Sequence, residues 1–119
     1  MTDRQNRRVT KLVVKWSRIM GLDRWRGEIT FLDQDRADTK DATFVACMDT
    51  EVSWPYRQYR TNVYPVIADM TDDEVEGLVV HELTHVLLAP MRNDEQARST
   101  VERVTTDIEM ALLSARDAK

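Results

Sequence analysis

Apolar residues recur with helical spacing near the start of the chain. Between residues 4 and 20 they fall at intervals of three and four, which places them on one face of a helix. The residues of this stripe are Val9, Leu12, Val13, Trp16, Ile19 and Met20. Six cations occupy the other faces, and Gly21 follows as a C-terminal stop. The pattern predicts a first helix with a basic outer surface, which we interpret as a solvated face; contact with an acidic partner or nucleic acid is the alternative.

Two further helical patterns occur in the second half of the chain. The first runs from about Asp72 to Ala89. It starts with a capping box formed by Thr71 and Glu74, and Pro90 ends it because proline disfavours helical geometry in the residue before it. After a short linker, the second pattern runs from about Asp94 to Ala115. Its predicted core stripe consists of Val101, Val104, Ile108, Ala111 and Leu112.

Three segments between the first and second helices have the composition of strands. Alternation of apolar and polar residues predicts a strand at Trp25–Leu32. Apolar runs predict a second strand at Ala42–Met48 and a third at Tyr59–Ala68. The charged segment Asp33–Asp41 is interpreted as a loop or hairpin connection, and Asp49–Arg57 as a turn.

The order of these elements predicts one α+β domain covering residues 1–119. Three consecutive strands with short connections indicate a mainly antiparallel meander packed on helices. Pro65 cannot donate a backbone hydrogen bond, so the third strand is either at an edge there or ends early.

The second helix carries the residues with the strongest chemical signal. Its sequence contains His81-Glu82-Leu83-Thr84-His85, an H-E-x-x-H motif that uses both histidines of the chain. Residues four apart share a helix face, so both imidazoles can bind one metal ion while Glu82 acts on a metal-bound water. The apolar flanks are typical of a buried metal site. The motif therefore predicts a zinc site with His81 and His85 as ligands and Glu82 as general base.

A catalytic zinc ion usually has three protein ligands and one open position. Because there is no third histidine, we expect a carboxylate of the last helix as the third ligand. The candidates are Glu95, Glu102, Asp107 and Glu109. We favour Glu102, at the edge of the apolar stripe, and keep Glu109 as the alternative. Thr105 or Thr106 is a candidate outer partner of this ligand.

Composition narrows the classes of function. The net charge of −4 argues against nucleic acid as the main partner. The single cysteine, Cys47, excludes an internal disulfide and is interpreted as a small buried hydrophobe. The N-terminus lacks the pattern of a signal peptide, and no apolar run has the length of a membrane span. We therefore expect a cytoplasmic protein with no membrane partner.

These residues resemble the gluzincin group of zinc metallopeptidases, in which H-E-x-x-H is completed by a glutamate on a later helix. The small size and the order of elements look like those of minimal gluzincins and of metallopeptidase-like proteins of phages and prophages. The resemblance implies one zinc ion held by His81, His85 and Glu102, with Glu82 as general base. The sequence departs from the larger members at Thr106, where their pattern has an aspartate. Met91 stands where a different zinc group has its third histidine.

The expected activity is hydrolysis of a peptide or protein substrate by a metal-activated water. Candidate donors to the oxyanion are Tyr56, Arg57, Tyr59 and Tyr64. The strand Tyr59–Ala68 is the candidate for binding substrate by strand addition. The alternative is a non-catalytic or latent zinc-binding module that acts as a protein-interaction domain.

Overall fold

A computed structural model describes residues 2–34, 36–37, 45–89 and 95–117. Within these ranges the chain forms three α-helices and a three-stranded mixed sheet, which confirms the α+β class. The helices are α1 (Asp3–Ile19), α2 (Asp72–Leu87) and α3 (Glu95–Asp117). The strands are β1 (Arg26–Phe31), β2 (Arg36–Ala37), β3 (Val45–Ala46), β4 (Met48–Ser53) and β5 (Gln58–Val63). The positions of the helices agree with the sequence prediction to within a few residues.

Helix α1 packs most of its predicted apolar stripe inward, but Ile19 at its end is exposed. Val9, Val13 and Trp16 are buried, because their spacing places them on the face directed at α2 and the sheet. Past the end of the helix, Gly21 has φ +75°, a left-handed conformation that glycine adopts without steric cost. The predicted C-terminal stop is therefore confirmed.

Helix α2 lies at the centre of the molecule and contacts α1, α3 and β4. Its predicted capping box is present: the backbone N–H of Glu74 donates to Oγ1 of Thr71, and the N–H of Thr71 donates to Oε1 of Glu74. Nine of its side chains are buried, including those of Val75, Val79 and Leu83. Its predicted stop at Pro90 lies outside the described residues.

The expected antiparallel meander is wrong in its topology. The strand order is β1-β5-β4, with β5 central, parallel to β1 and antiparallel to β4. A tight turn at Trp54–Arg57 joins β4 to β5, which enforces antiparallel pairing. A much longer connection separates β1 from β5, which is what a parallel pair requires.

The boundaries of the second and third strands also differ from the prediction. The second long strand is Met48–Ser53, so most of the predicted turn Asp49–Arg57 is strand. Its inward-facing positions are Met48, Thr50 and Val52, and the polar threonine hides the alternation from a hydrophobicity pattern. The third strand ends at Val63, and a 3-10 helix follows at Pro65–Asp69, as the early-ending alternative predicted. Residues 42–44 lie outside the described residues.

The core forms between α1, α2 and the inner face of the sheet. Its fully buried side chains include Val9, Val63, Ile67 and Val80. Cys47 is partly buried just before β4, and its carbonyl oxygen accepts a hydrogen bond from the backbone N–H of Tyr64. In the described part of the chain, none of the helices combines the length and the apolar character that crossing a bilayer demands.

Candidate metal centre

The two histidines of the motif face each other on α2. They are one helical turn apart, with Nε2 of His81 3.2 Å from Nε2 of His85. The imidazole rings meet edge to face, with centroids 4.8 Å apart. His85 is buried and His81 is partly buried. Two ring nitrogens therefore point toward one place at the boundary between α2 and solvent.

Helix α3 brings Glu102 to the same place. Its Oε1 lies 3.5 Å from Nε2 of His85, and its Oε2 lies 3.9 Å from Nε2 of His81. One donor atom from each of the three residues lies within 4.8 Å of the others, so the group can hold a metal ion. Ligand atoms in a tetrahedral zinc site with bonds of about 2.0–2.1 Å are about 3.3 Å apart, close to two of these separations. The donor set and its spacing fit a divalent ion of this kind.

Glu109 takes a different position from Glu102. Its Oε1 lies 3.1 Å from Nδ1 of His81, on the side of the ring that faces away from His85. A carboxylate there can accept a hydrogen bond from Nδ1–H, and in that tautomer Nε2 is free to bind a metal. The two glutamates that the sequence left as alternatives thus contact different atoms of the same histidine.

No hydrogen bond or ion pair joins the two histidines to the other described residues of α3 that the sequence offered as ligands or outer partners. Asp107 is exposed on another face of the helix, and the side chain of Glu95 lies outside the described residues. Thr106 is exposed, and its hydroxyl donates to the carbonyl oxygen of Glu102 within the helix. Thr105 is fully buried, and its hydroxyl makes no hydrogen bond within the described part of the chain.

Glu82 is buried beside the histidines. Its Oε2 accepts a 2.7 Å hydrogen bond from the hydroxyl of Thr50 on β4. Burial raises the pKa of the Glu82 carboxyl, whereas the Thr50 hydrogen bond and the nearby His81 act in the opposite direction. Within the described residues Oε1 makes no hydrogen bond, so Thr50 fixes only one of the two carboxylate oxygens.

A second carboxylate, Glu76, holds three helices together. Its Oε2 accepts hydrogen bonds from Nε1 of Trp16, at 2.8 Å, and from Nζ of Lys15, at 3.0 Å. Its Oε1 accepts from the guanidinium of Arg116 near the end of α3. Burial alone would raise the pKa of Glu76, but the three hydrogen bonds outweigh it and lower the pKa. The C-terminal end of α3 is thus tied to α2 through Arg116 and Glu76. Glu102, in the N-terminal half of α3, reaches the histidines of α2.

Beside Glu76, Gly77 of α2 faces Leu113 of α3. The methyl Cδ1 of Leu113 lies 3.9 Å from the position that a β-carbon on Gly77 would occupy. Leu112 also packs against the core. Apart from Thr105, the described side chains of α3 are partly buried or exposed, so the polar contacts at the histidines and at Glu76 also help to hold the helix in place.

The predicted oxyanion donors are distributed over different parts of the molecule. Tyr56 is 76% exposed, and Arg57 is an exposed residue of the β4–β5 turn with φ +50°. Tyr59 packs against Trp25 near α1, and burial raises the pKa of its hydroxyl against a hydrogen bond with Ser17. The hydroxyl of Tyr64 donates to Oδ2 of Asp49, the neighbour of Thr50. Of the four, it is Tyr64 that contacts a residue adjacent to Thr50, the hydrogen-bond partner of Glu82.

The strand that we expected to bind substrate is wrongly chosen. Strand β5 is paired with β1 on one side and with β4 on the other, so neither of its edges is available. Among the described strands, the outer strand that contacts Glu82 is β4. Thr50, on this strand, was missed because its segment has the composition of a turn, and no sequence signal marks it as a partner of Glu82.

No protein-family model and no curated protein matches the chain. A solved structure, the metallopeptidase zymogen of Pyrococcus abyssi abylysin, is similar over 90% of this chain and 93% of that chain. The two are 18% identical, with a TM-score of 0.44.

Proposed function

We propose that this chain is a zinc-dependent metallopeptidase that hydrolyses peptide bonds. The observation that carries the proposal is the convergence of His81, His85 and Glu102 on one point, with Glu82 buried beside the histidines. Nitrogen from imidazole and oxygen from a carboxylate suit zinc among the available divalent ions. When bound, such an ion would polarise a carbonyl and make a water molecule acidic near neutral pH.

Glu82 is the proton carrier in this proposal. It follows His81 directly on α2, and Thr50 fixes one of its carboxylate oxygens. The other oxygen takes a proton from the attacking water and returns it to the leaving amine. A buried carboxylate held in one orientation is suited to this task, because no reorientation is needed between the two transfers.

The candidate metal site is open to solvent on one side, as a substrate would require. The side chain of Glu102 is 57% exposed and that of His81 is 26% exposed, so one side of the group faces solvent. The outer strand β4 contacts Glu82 through Thr50, and in this proposal it pairs with an extended peptide by strand addition. We propose that the scissile bond lies between β4 and the two histidines.

The competing function is a non-catalytic module in which zinc only joins α2 to α3. Such structural sites are closed by four protein ligands. In the part of the chain that the structure describes, the candidate group has three members. Three ligands with an exposed side favour the catalytic function.

The test is Glu82→Gln in zinc-loaded protein, with unfolded casein and a mixture of quenched fluorescent peptides as substrates. We expect the variant to keep its zinc and to lose hydrolysis by about 100-fold or more, the usual contribution of a general base. Glu28→Gln, an exposed glutamate on β1 at the other edge of the sheet, is the matched control and should retain full activity. Unchanged hydrolysis in Glu82→Gln would remove the residue from this role. Bound zinc with no hydrolysis of any substrate would favour the non-catalytic module.

A further inference from the structure

Five exposed cations follow one face of α1. They are Arg4, Arg7, Lys11, Lys15 and Arg18, and we call them the basic face of α1. Their spacing of three and four residues repeats with the helical turn, so they form a continuous stripe. At 1.5 Å per residue the stripe is about 21 Å long.

The stripe is positively charged, whereas the whole chain has a net charge of −4. Helix α1 holds six cations and one carboxylate, whereas the rest of the chain holds eleven cations and twenty carboxylates. Lys15 is paired with Glu76. Within the described residues, Arg4, Arg7, Lys11 and Arg18 form no ion pair. Like charges one turn apart repel each other, and an anionic partner would relieve this repulsion.

The first half of the stripe borders a concavity of about 540 Å³. The residues that line it are Arg4, Gln5, Arg7, Arg8, Lys11 and Asp72. Arg8 is held in place by a 2.7 Å ion pair with Asp72 at the start of α2. The other three cations point into the same space with no competing carboxylate except Asp72. The concavity therefore has a net positive lining in a molecule that is acidic overall.

Apolar side chains lie among these cations. Val14 is 43% exposed and lies one turn from both Lys11 and Arg18. Ile19 is 55% exposed and lies one turn after Lys15. Exposed aliphatic groups gain from contact with apolar side chains of a protein, and they gain nothing from a phosphate backbone. The mixture of cations and aliphatic groups fits a protein segment with both carboxylates and apolar residues.

We propose that the basic face of α1 is a docking surface for an acidic, partly apolar segment of a partner protein. The carboxylates of the segment pair with Arg4, Arg7, Lys11 and Arg18, and its apolar residues cover Val14 and Ile19. The surface starts beside Asp72, nine residues before His81 along α2. The proposal does not depend on metal binding or on hydrolysis.

The experiment measures binding of labelled probes by fluorescence anisotropy at two salt concentrations. The main probe is a peptide of Glu-Glu-Leu repeats, about 15 residues long so that it matches the stripe even when helical. The comparison probes are the same peptide with glutamine in place of glutamate, and single-stranded and duplex DNA of similar charge. The protein is the full chain and its Arg4→Gln/Arg7→Gln/Lys11→Gln variant. The matched control, Arg24→Gln/Arg26→Gln/Arg57→Gln, removes three exposed cations elsewhere.

We expect the acidic peptide to bind the wild type, and its affinity to fall about tenfold in the α1 variant and to remain unchanged in the control variant. The Val14→Ser variant should weaken this probe and leave DNA binding unchanged. Equal losses in the two charge variants, or no binding of the acidic peptide, would overturn the proposal. Tighter binding of DNA would make the stripe a nucleic-acid surface instead. If the triple variant does not fold by circular dichroism, the Lys11→Gln/Arg18→Gln variant gives the same comparison.

Discussion

Oε1 of Glu109 lies 3.1 Å from Nδ1 of His81, while Nε2 of the same ring faces His85 and Glu102. One histidine therefore contacts both glutamates that the sequence offered as metal ligands. Glu102 is on the side where a metal would bind, and Glu109 is on the opposite side of the ring.

Replacement of Glu109 by glutamine should weaken metal binding without abolishing it. Loss of an outer hydrogen-bond partner typically lowers metal affinity by about 10- to 100-fold, because the ligand ring loses its fixed orientation and some basicity. Competition with a chromophoric chelator measures this affinity. Asp107→Asn, an exposed neighbour on α3, is the control and should bind as the wild type does. Complete loss of metal at saturating zinc would instead make Glu109 a direct ligand.

Replacement of Thr50 by valine should impair hydrolysis more than metal binding. Valine has nearly the same shape but cannot donate to Oε2 of Glu82, so the carboxylate loses its fixed orientation. We expect kcat to fall about tenfold or more, with zinc content unchanged. Thr50→Ser keeps the hydroxyl and should restore most of the activity. An equal loss in the serine and valine variants would show that the methyl group, and not the hydrogen bond, matters.

The carboxylate of Glu76 should make stability depend on pH. Its pKa in the folded protein is lowered below the usual value of 4.5, so the folded state favours the ionised form. The stability that it contributes is present above pH 4.5 and is lost as the pH falls through its folded pKa. Glu76→Gln should therefore cost about 2 kcal/mol near pH 7 and progressively less in acid. Urea unfolding at several pH values, with exposed Asp73→Asn as the control, measures the difference. A cost that does not change with pH would contradict this account.

Two glycines should respond to alanine in opposite directions. A β-carbon on Gly77 would make only an ordinary contact with Leu113, so Gly77→Ala should stabilise α2 by about 0.5–1 kcal/mol. A β-carbon on Gly27 would overlap the ring of Tyr59, so Gly27→Ala should destabilise the fold by about 1–3 kcal/mol. Thermal unfolding of both variants tests the packing of α3 on α2 and of Tyr59 on β1. Two changes of the same sign would show that one of these contacts is misplaced.

Local patterns in the sequence were sufficient to predict the helices. The capping box at Thr71 and Glu74, the apolar stripe of α1 and the stop at Gly21 each depend on residues within a few positions of one another. The strand pairing was harder, because the parallel partner of β1 is separated from it by a long connection. No short-range signal distinguishes β1-β5-β4 from a meander.

The residues of the candidate site also separate into those that local sequence predicts and those that depend on tertiary packing. His81, Glu82 and His85 are recognisable because their spacing is local to one helix. Glu102 was favoured from its position on the helical wheel, whereas the contact between Glu109 and Nδ1 of His81 depends on how α3 crosses α2. Thr50 could not be found at all, since its role arises from a strand packed against α2.

The most direct test of a metal centre formed by α2 and α3 is the zinc content of purified protein, measured by elemental mass spectrometry after dialysis against zinc and removal of the excess. We expect one zinc per chain in the wild type and in Glu109→Gln. We expect loss of the zinc in His81→Ala and in Glu102→Ala. Wild-type protein that takes up no zinc, or Glu102→Ala that keeps a full equivalent, would contradict the assignment of His81, His85 and Glu102 as the ligands.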